Sequence, residues 1–374
     1  MLNPPSVHGW DSLLTPDGET PDGGSPRVRP AEGASRWLAG ALAEGAIPPE
    51  PYTLRLFAPV PRTGGAERPV TADQTNRSVI VGERVVVKWF SHPARGARAP
   101  GLLGHLAEVG FRHTAEPYAA LFWRGRLAAL VTAYLPGALD GWDWCVDAVM
   151  AGGDRAGFAA ALGELAADLH VALATPSSTE PAPVTTVDGA EWHRRAERAV
   201  AEAGARTTGE DGQWLEFRSA ELTAGIAPLA GGGPAVAQPI HGDLHVGQVL
   251  RWRDGYAVID FDGNPTVDGA QAEPQPAARD VAQLLTSLEH VGQIAIRRRE
   301  ADPAAMAGWV RGARRDLLSA YTSRLAACGR SELFEPRLLR PFEIEQECRE
   351  LIYAARFLPR WTYAPMGVLR RWFG

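Results

Sequence analysis

His241-Gly242-Asp243-Leu244-His245-Val246-Gly247-Gln248, followed after a short apolar stretch by Ile259-Asp260-Phe261-Asp262, sets a carboxylate, an amide and two further carboxylates close together in the chain. Gln248 lies five residues past Asp243, the spacing at which phosphoryl-transfer sites carry a catalytic base and a metal-binding amide. Apolar runs at Val249-Leu250 and Tyr256-Ala257-Val258-Ile259 flank Arg253-Asp254-Gly255, and Asp-Gly between such runs predicts a hairpin. Strand side chains alternate, so Asp260 and Asp262 are expected on one face, both toward one ion, with Phe261 packed the other way. Mg²⁺ takes hard oxygen ligands and keeps waters and phosphate oxygens. Gln248, Asp260 and Asp262 therefore form the expected metal set, and Asp243 the expected base. Two other readings compete: an ordinary polar hairpin with Asp in its turns, and a hydrolase centre with Zn²⁺ on the alternate residues His241, Asp243 and His245.

Lys88 is the only lysine of the chain, the other 37 of its 38 Lys and Arg residues being arginine. It follows Val85-Val86-Val87, a β-branched strand closing on one cation, as expected of a lysine that meets nucleotide α/β-phosphates and pairs with a helical Glu. A compact ammonium and an arginine fork differ in shape, which gives a reason for this one lysine to persist; a leftover surface lysine is the plainer alternative. Leu102, Leu103, Leu106 and Val109 repeat at helical spacing, and Glu108 on that short helix is the expected ion-pair partner. Glu116 is disfavoured because Pro117 biases its backbone away from helix. Upstream, 73–78 precede Val79-Ile80-Val81-Gly82-Glu83 in a strand-turn-strand plan that lays small polar residues such as Ser78 over phosphates. No Walker A motif is present, which disfavours a P-loop fold.

Gln74-x-Asn76-x-Ser78, the Lys88 strand, His241-Gly-Asp243-x-His245-x-Gly-Gln248, Asp260-Phe-Asp262-Gly263 and Arg279-Asp280 together resemble the maltokinase-like branch of the aminoglycoside-phosphotransferase superfamily. The tail joins in through Phe342-Glu343 to Glu350, Tyr353-Ala354, Pro359-x-Trp361 and Pro365, so the resemblance covers roughly 70–374. Before Asp73 the chain is short for a maltokinase. Asp260-Phe261-Asp262-Gly263-Asn264-Pro265 also stands where maltokinases tend to carry Glu-Gly-Glu; this variant is more similar to bacterial glucosamine kinases. The resemblance implies an α+β, two-lobed protein-kinase-like fold, with a β-rich N-lobe bearing a small N-terminal cap, a mainly helical C-lobe and the nucleotide in the cleft. It implies ATP-dependent, Mg²⁺-assisted phosphorylation of glucosamine at its 6-hydroxyl, with maltose or an aminoglycoside as alternative acceptors. It further implies adenine contacts from the Ala133 and Leu135 backbone and a ribose contact from Asp140.

With 374 residues, 45% of them hydrophobic, the chain can bury two substantial cores. The expected division is 1–70 for a poorly ordered lead-in and cap, 71–136 for the N-lobe and 137–374 for the C-lobe. A helix over 31–46 and a strand over 52–57 would form the cap, a strand over 127–134 would run into a Leu135-Pro136-Gly137 hinge, and helices would span about 158–169 and 190–203. Residues 175–187 and 204–212 read as loops. His170 reads as a packed helix histidine, and Trp142 and Trp144 as anchors of the C-lobe start with sugar stacking as the sharper option. No apolar run approaches a membrane span, the N-terminus lacks a signal-peptide pattern, and three widely spaced cysteines suit a reducing compartment, so a cytoplasmic protein is expected. A net charge of −6 without a basic stripe disfavours nucleic acid and anionic membranes as partners. A small amino sugar as ligand and a monomeric state are the expectations.

The acceptor is read from a helix over 342–357. Glu343, Glu347 and Glu350 share a face at i, i+4, i+7, where like charges cost roughly 0.2–0.5 kcal/mol per pair. A cationic ligand such as the glucosamine ammonium would offset that, and so would arginines, Arg349 and Arg356 being nearest in sequence. Glu347, Glu350, Gln346, Trp361 and His245 join Asp243 as expected substrate contacts.

Overall fold

The computed structural model describes residues 9–16, 28–70, 76–94, 96–152, 155–231, 233–253, 255–264 and 273–374. Asp73, Gln74 and Thr75 of the expected phosphate turn, Asp254 of the hairpin, Pro265 and most of the lead-in lie outside the described residues. The chain divides into two compact units, Met1–Ala138 and Leu139–Gly374, two residues beyond the expected hinge boundary.

In the first unit, β1 (Leu14–Pro16) pairs with β2 (Val28–Pro30), and α1 (Ala34–Ala43) follows. A six-stranded antiparallel sheet is then built from β3 (Tyr52–Leu56), β4 (Glu67–Pro69), β5 (Arg77–Val81), β6 (Val85–Ala94), β7 (Pro117–Trp123) and β8 (Arg126–Ala133), with α2 (Ala99–Glu108) between β6 and β7. The strand order is β3-β7-β8-β6-β5-β4. Alternation along β5 and β6 sends Val79, Val81, Val85, Val87 and Trp89 into a core with Leu38 and Leu42 of α1, and the Trp89 indole N–H donates to Ser35 Oγ at 2.9 Å. The expected cap is therefore not separate: β3 is an edge strand of the main sheet and α1 packs on its core. β7 escaped the sequence reading although its apolar run ends in Arg124-Gly125, whose φ of 51° and 70° suit a tight hairpin turn.

The second unit is mainly helical. It contains α3 (Gly141–Met150), α4 (Arg155–Leu173), β9 (Thr185–Val187), α5 (Ala190–Arg206), α6 (Gly209–Ile226), α7 (Pro228–Gly231), β10 (Ala235–Ala237), β11 (Val249–Trp252), β12 (Gly255–Val258), α8 (Ala277–Arg299), α9 (Pro303–Ala327), α10 (Leu339–Phe357) and α11 (Tyr363–Phe373). β9 pairs with β10. The segments read as loops are thus partly ordered: β9 closes the first, and only two residues separate α5 from α6 in the second. α4 lies against α9 so closely that a Cβ on Gly163 would stand 2.2 Å from the Leu317 carbonyl oxygen. α10 is packed by α5, α6, α8 and α11 and is buried without a break from Pro341 to Arg349. Among the described residues no helix is long and apolar enough to cross a membrane.

Candidate active site

In the first unit, Ser78 of β5 sits directly opposite Lys88 of β6, so the two side chains share the sheet face away from the valine core. Ser78 is buried and Lys88 half-buried, its Nζ 5.5 Å from the centre of the Phe90 ring. Glu108 closes α2 and is exposed. The Ala133 N–H is already given to the Glu116 carbonyl at 2.8 Å, and the Leu135 carbonyl accepts from Ala138 N–H at 3.3 Å. Of the backbone groups of these two residues, an adenine could therefore meet the Ala133 carbonyl and the Leu135 N–H.

In the second unit the loop from His241 to Gln248 hangs on one residue, Asp280 in the first turn of α8. Its Oδ2 accepts from His241 N–H at 2.7 Å and its Oδ1 from Gly242 N–H at 2.8 Å, while His170 Nε2 stands 3.2 Å from Oδ2. His170 Nδ1 in turn meets the Tyr321 hydroxyl at 2.9 Å. Burial alone would raise the Asp280 carboxyl; the His170 bond and charge, with His241 and the Gly242 N–H, outweigh it and hold the group below the usual carboxylate range. His170 is a packed helix histidine as expected, yet it also holds the residue that holds the loop.

His241 meets the Ile259 carbonyl through Nε2 at 2.9 Å and takes the Asp243 N–H on Nδ1 at 3.2 Å. Both ring nitrogens are thus spent on backbone, which removes the reading of a Zn²⁺ site on alternate residues. Among the described residues no group of three or more His, Cys, Asp and Glu is arranged to hold a metal. Asp243 Oδ1 accepts from Gln283 Nε2 at 2.5 Å and from Asn264 Nδ2 at 3.3 Å, and Oδ2 lies 3.8 Å from His245 Nε2. Burial raises the Asp243 carboxyl, against the pull of His245, the Gln283 amide and His241. His245 accepts the Gly247 N–H at 3.1 Å and stacks on Trp142, ring centres 5.6 Å apart.

The hairpin forms as read, with Val249 opposite Val258 and Trp252 opposite Gly255. Its turn falls one residue earlier than the Asp-Gly pair, since Gly255 is already in the ladder and Arg253 carries φ of 51°. The expectation that strand alternation aligns Asp260 with Asp262 fails. β12 ends at Val258 and Asp260 adopts φ of 64°, a left-handed conformation that breaks the pleat. Phe261 does turn inward, its ring 4.8 Å from that of His241. Ile259 N–H donates to the Gln248 carbonyl at 2.9 Å, which keeps Gln248 beside the base of the hairpin, one residue from the exposed Asp260. An amide and two carboxylates are hard oxygen donors, so these three residues suit Mg²⁺.

Asp140 is the N-cap of α3, its Oδ1 accepting from Trp142 N–H at 2.9 Å and Asp143 N–H at 3.4 Å, so one of its oxygens is engaged in capping. On α10 the three glutamates separate. Glu343 is buried with Arg314 and Arg340. Glu347 is fully buried against His290, whose Nε2 lies 2.9 Å from Oε2. Glu350 is half-buried and accepts from Gln346 Nε2 at 3.0 Å and Trp361 Nε1 at 2.8 Å. The solvated acidic face balanced by Arg349 and Arg356 does not occur, because Arg349 pairs with Glu345 and Arg356 with Glu202. Burial pushes Glu347 up to about 7, and against burial the Glu347 charge keeps the proton on His290 to higher pH. Trp361 packs edge-on to Trp142 at 5.7 Å and to His290 at 5.4 Å, so one continuous wall joins the Asp243 loop to Glu350. Gln283 and His290 were missed by sequence reasoning, lying on α8 beyond the Arg279-Asp280 motif, and Asn264, though inside the 260–265 segment, was not read as a contact of Asp243.

No family model matches the chain. The glucosamine kinase of Streptacidiphilus jiangxiensis is 43% identical over 378 residues, covering 95% of this chain and 84% of the relative. The chain belongs to the glucosamine kinase family. The family member from Mycolicibacterium smegmatis (strain ATCC 700084 / mc(2)155) is 38% identical over 377 residues, covering 93% and 92%. A solved glucosamine kinase, in complex with glucosamine, ADP and inorganic phosphate, superposes with a TM-score of 0.82 at 36% identity, covering 94% of this chain and 89% of that one. The two-lobed kinase-like fold and the family expected from the motifs are those of the glucosamine kinases.

Proposed function

We propose that this protein transfers the γ-phosphoryl group of ATP to glucosamine and releases glucosamine 6-phosphate and ADP. The observation that carries this reading is the solved relative holding glucosamine, ADP and inorganic phosphate, which aligns over 94% of the chain. Asp243 orients the sugar hydroxyl and accepts its proton; the hydroxyl oxygen bonds to the γ-phosphorus as the bond to the bridging oxygen breaks, and ADP leaves with the electron pair. Lys88, beside Ser78 and paired with Glu108, meets the phosphates, and the Ala133 carbonyl, Leu135 N–H and Asp140 meet the nucleoside. Gln248 and Asp260, helped by Asp262, would hold Mg²⁺, which when bound neutralises charge on the phosphate oxygens. Glu350 answers the ammonium, Gln346 and His245 the hydroxyls, and Trp361 packs against the ring; Glu347, expected as a substrate contact, is fully buried on His290 and does not meet the sugar. The three free cysteines support work in the reducing cytoplasm, and the protein acts as a monomer.

An ADP-release assay with Mg²⁺ and ATP compares glucosamine, glucose, N-acetylglucosamine, maltose and kanamycin. Turnover on glucosamine is expected to exceed that on N-acetylglucosamine at least about a hundredfold in kcat/KM, because acetylation removes the charge that the Glu350 carboxylate reads. Preference for maltose or kanamycin would discard the sugar. Phosphate release from sugar phosphates without nucleotide would favour a hydrolase instead.

A further inference from the structure

Asp280, Gln283 and Ser287 follow i, i+3, i+7 on α8, so one face of this helix meets the catalytic loop residue by residue. Asp280 takes the N–H groups of His241 and Gly242, Gln283 gives Nε2 to Asp243, and Ser287 Oγ accepts from Val246 N–H at 3.0 Å. Gln283 is only 3% exposed, so its amide is shielded from solvent. Its 2.5 Å bond goes to Oδ1 of Asp243, the same oxygen that Asn264 approaches at 3.3 Å. Oδ2 stands 3.8 Å from His245, beyond hydrogen-bond distance.

We propose that Gln283 is a positioning residue that occupies Oδ1 of Asp243 and thereby makes Oδ2 the oxygen that receives the acceptor proton. This rests on the reading of Asp243 as the base. A carboxylate whose one oxygen is held by two N–H donors cannot rotate to present either oxygen at random, and the attacking hydroxyl then meets one fixed lone pair. The same donor favours the ionised form, which burial and Glu350 of α10 disfavour and which His245 and His241 of the loop favour. Loss of the Gln283 donor therefore leaves Asp243 harder to ionise.

The test is the pH profile of kcat/KM for glucosamine in Gln283→Leu and Gln283→Glu, with thermal melting of each. Gln283→Leu is expected to lower kcat about tenfold or more and to move the acid limb up by about one pH unit, with KM for ATP changed less than about twofold. Gln283→Glu keeps the shape and replaces the donor by a second carboxylate, so its acid limb is expected to move up further. If Gln283→Leu does not fold, the isosteric variant carries the test. A structural role alone would lower activity with the limb in place, and that result, or wild-type turnover and limb in both variants, overturns the inference. Asp243→Asn run alongside separates the two levels: near-normal turnover there removes the base itself, whereas a dead Asp243→Asn beside unshifted Gln283 variants removes only the role of Gln283.

Discussion

Asp243→Asn is expected to cut turnover on glucosamine at least about a hundredfold while the protein still folds. The asparagine side chain has the size of the carboxyl it replaces, and it can still turn an oxygen toward Gln283 Nε2. What it loses is the second oxygen able to take a proton. Burial raises the native carboxyl, so a neutral amide in its place should not weaken the fold. Steady-state ADP release and a melting curve on the same preparation separate the two properties. Turnover near that of the native enzyme would remove Asp243 from the base role.

Asp280→Ala should have its large effect on stability instead, costing about 3–5 kcal/mol, as expected when one partner of a buried network is deleted. Three groups lose their acceptor at once: His241 N–H, Gly242 N–H and His170 Nε2. The pH dependence has a definite sign. Because the folded carboxyl titrates below its unfolded value, its contribution is fully present above the ordinary aspartate pKa of about 4 and is lost as pH falls through the depressed folded pKa. The gap between native protein and Asp280→Ala in urea midpoints should therefore be wide at pH 7 and narrow in strong acid. A gap under about 1 kcal/mol at pH 7, or one that does not narrow, would mean that the loop hangs on something else.

These two residues also mark how far the sequence could be read. Asp243, Gln248 and the hairpin after them were visible because turn chemistry and spacing act over a few residues, and Lys88 because composition singled it out. The α10 helix was visible through its periodicity, but the partners of its glutamates were not. Beside Arg340 of its own helix, Glu343 went to Arg314, 29 positions away, and Glu347 to His290, 57 positions away, two residues that only the packing of α8, α9 and α10 brings close. Gln283 and the hold of His170 on Asp280 were hidden for the same reason, Gln283 lying 40 residues from Asp243 and His170 110 from Asp280. Asp260 failed differently. Alternation was a sound rule for a strand, but the strand stops two residues earlier, and a left-handed aspartate cannot be seen in a pattern of apolar positions.

The most direct test of the central claim is the product itself. Purified protein is incubated with ATP, Mg²⁺ and glucosamine, and a ³¹P–¹H correlation spectrum is recorded. Coupling of the new phosphorus signal to the two protons on C6, with ADP formed in equal amount, is the predicted result. A phosphorus coupled to a proton elsewhere on the ring would contradict the 6-hydroxyl, and ATP left intact beside unmodified sugar would contradict the kinase reading as a whole.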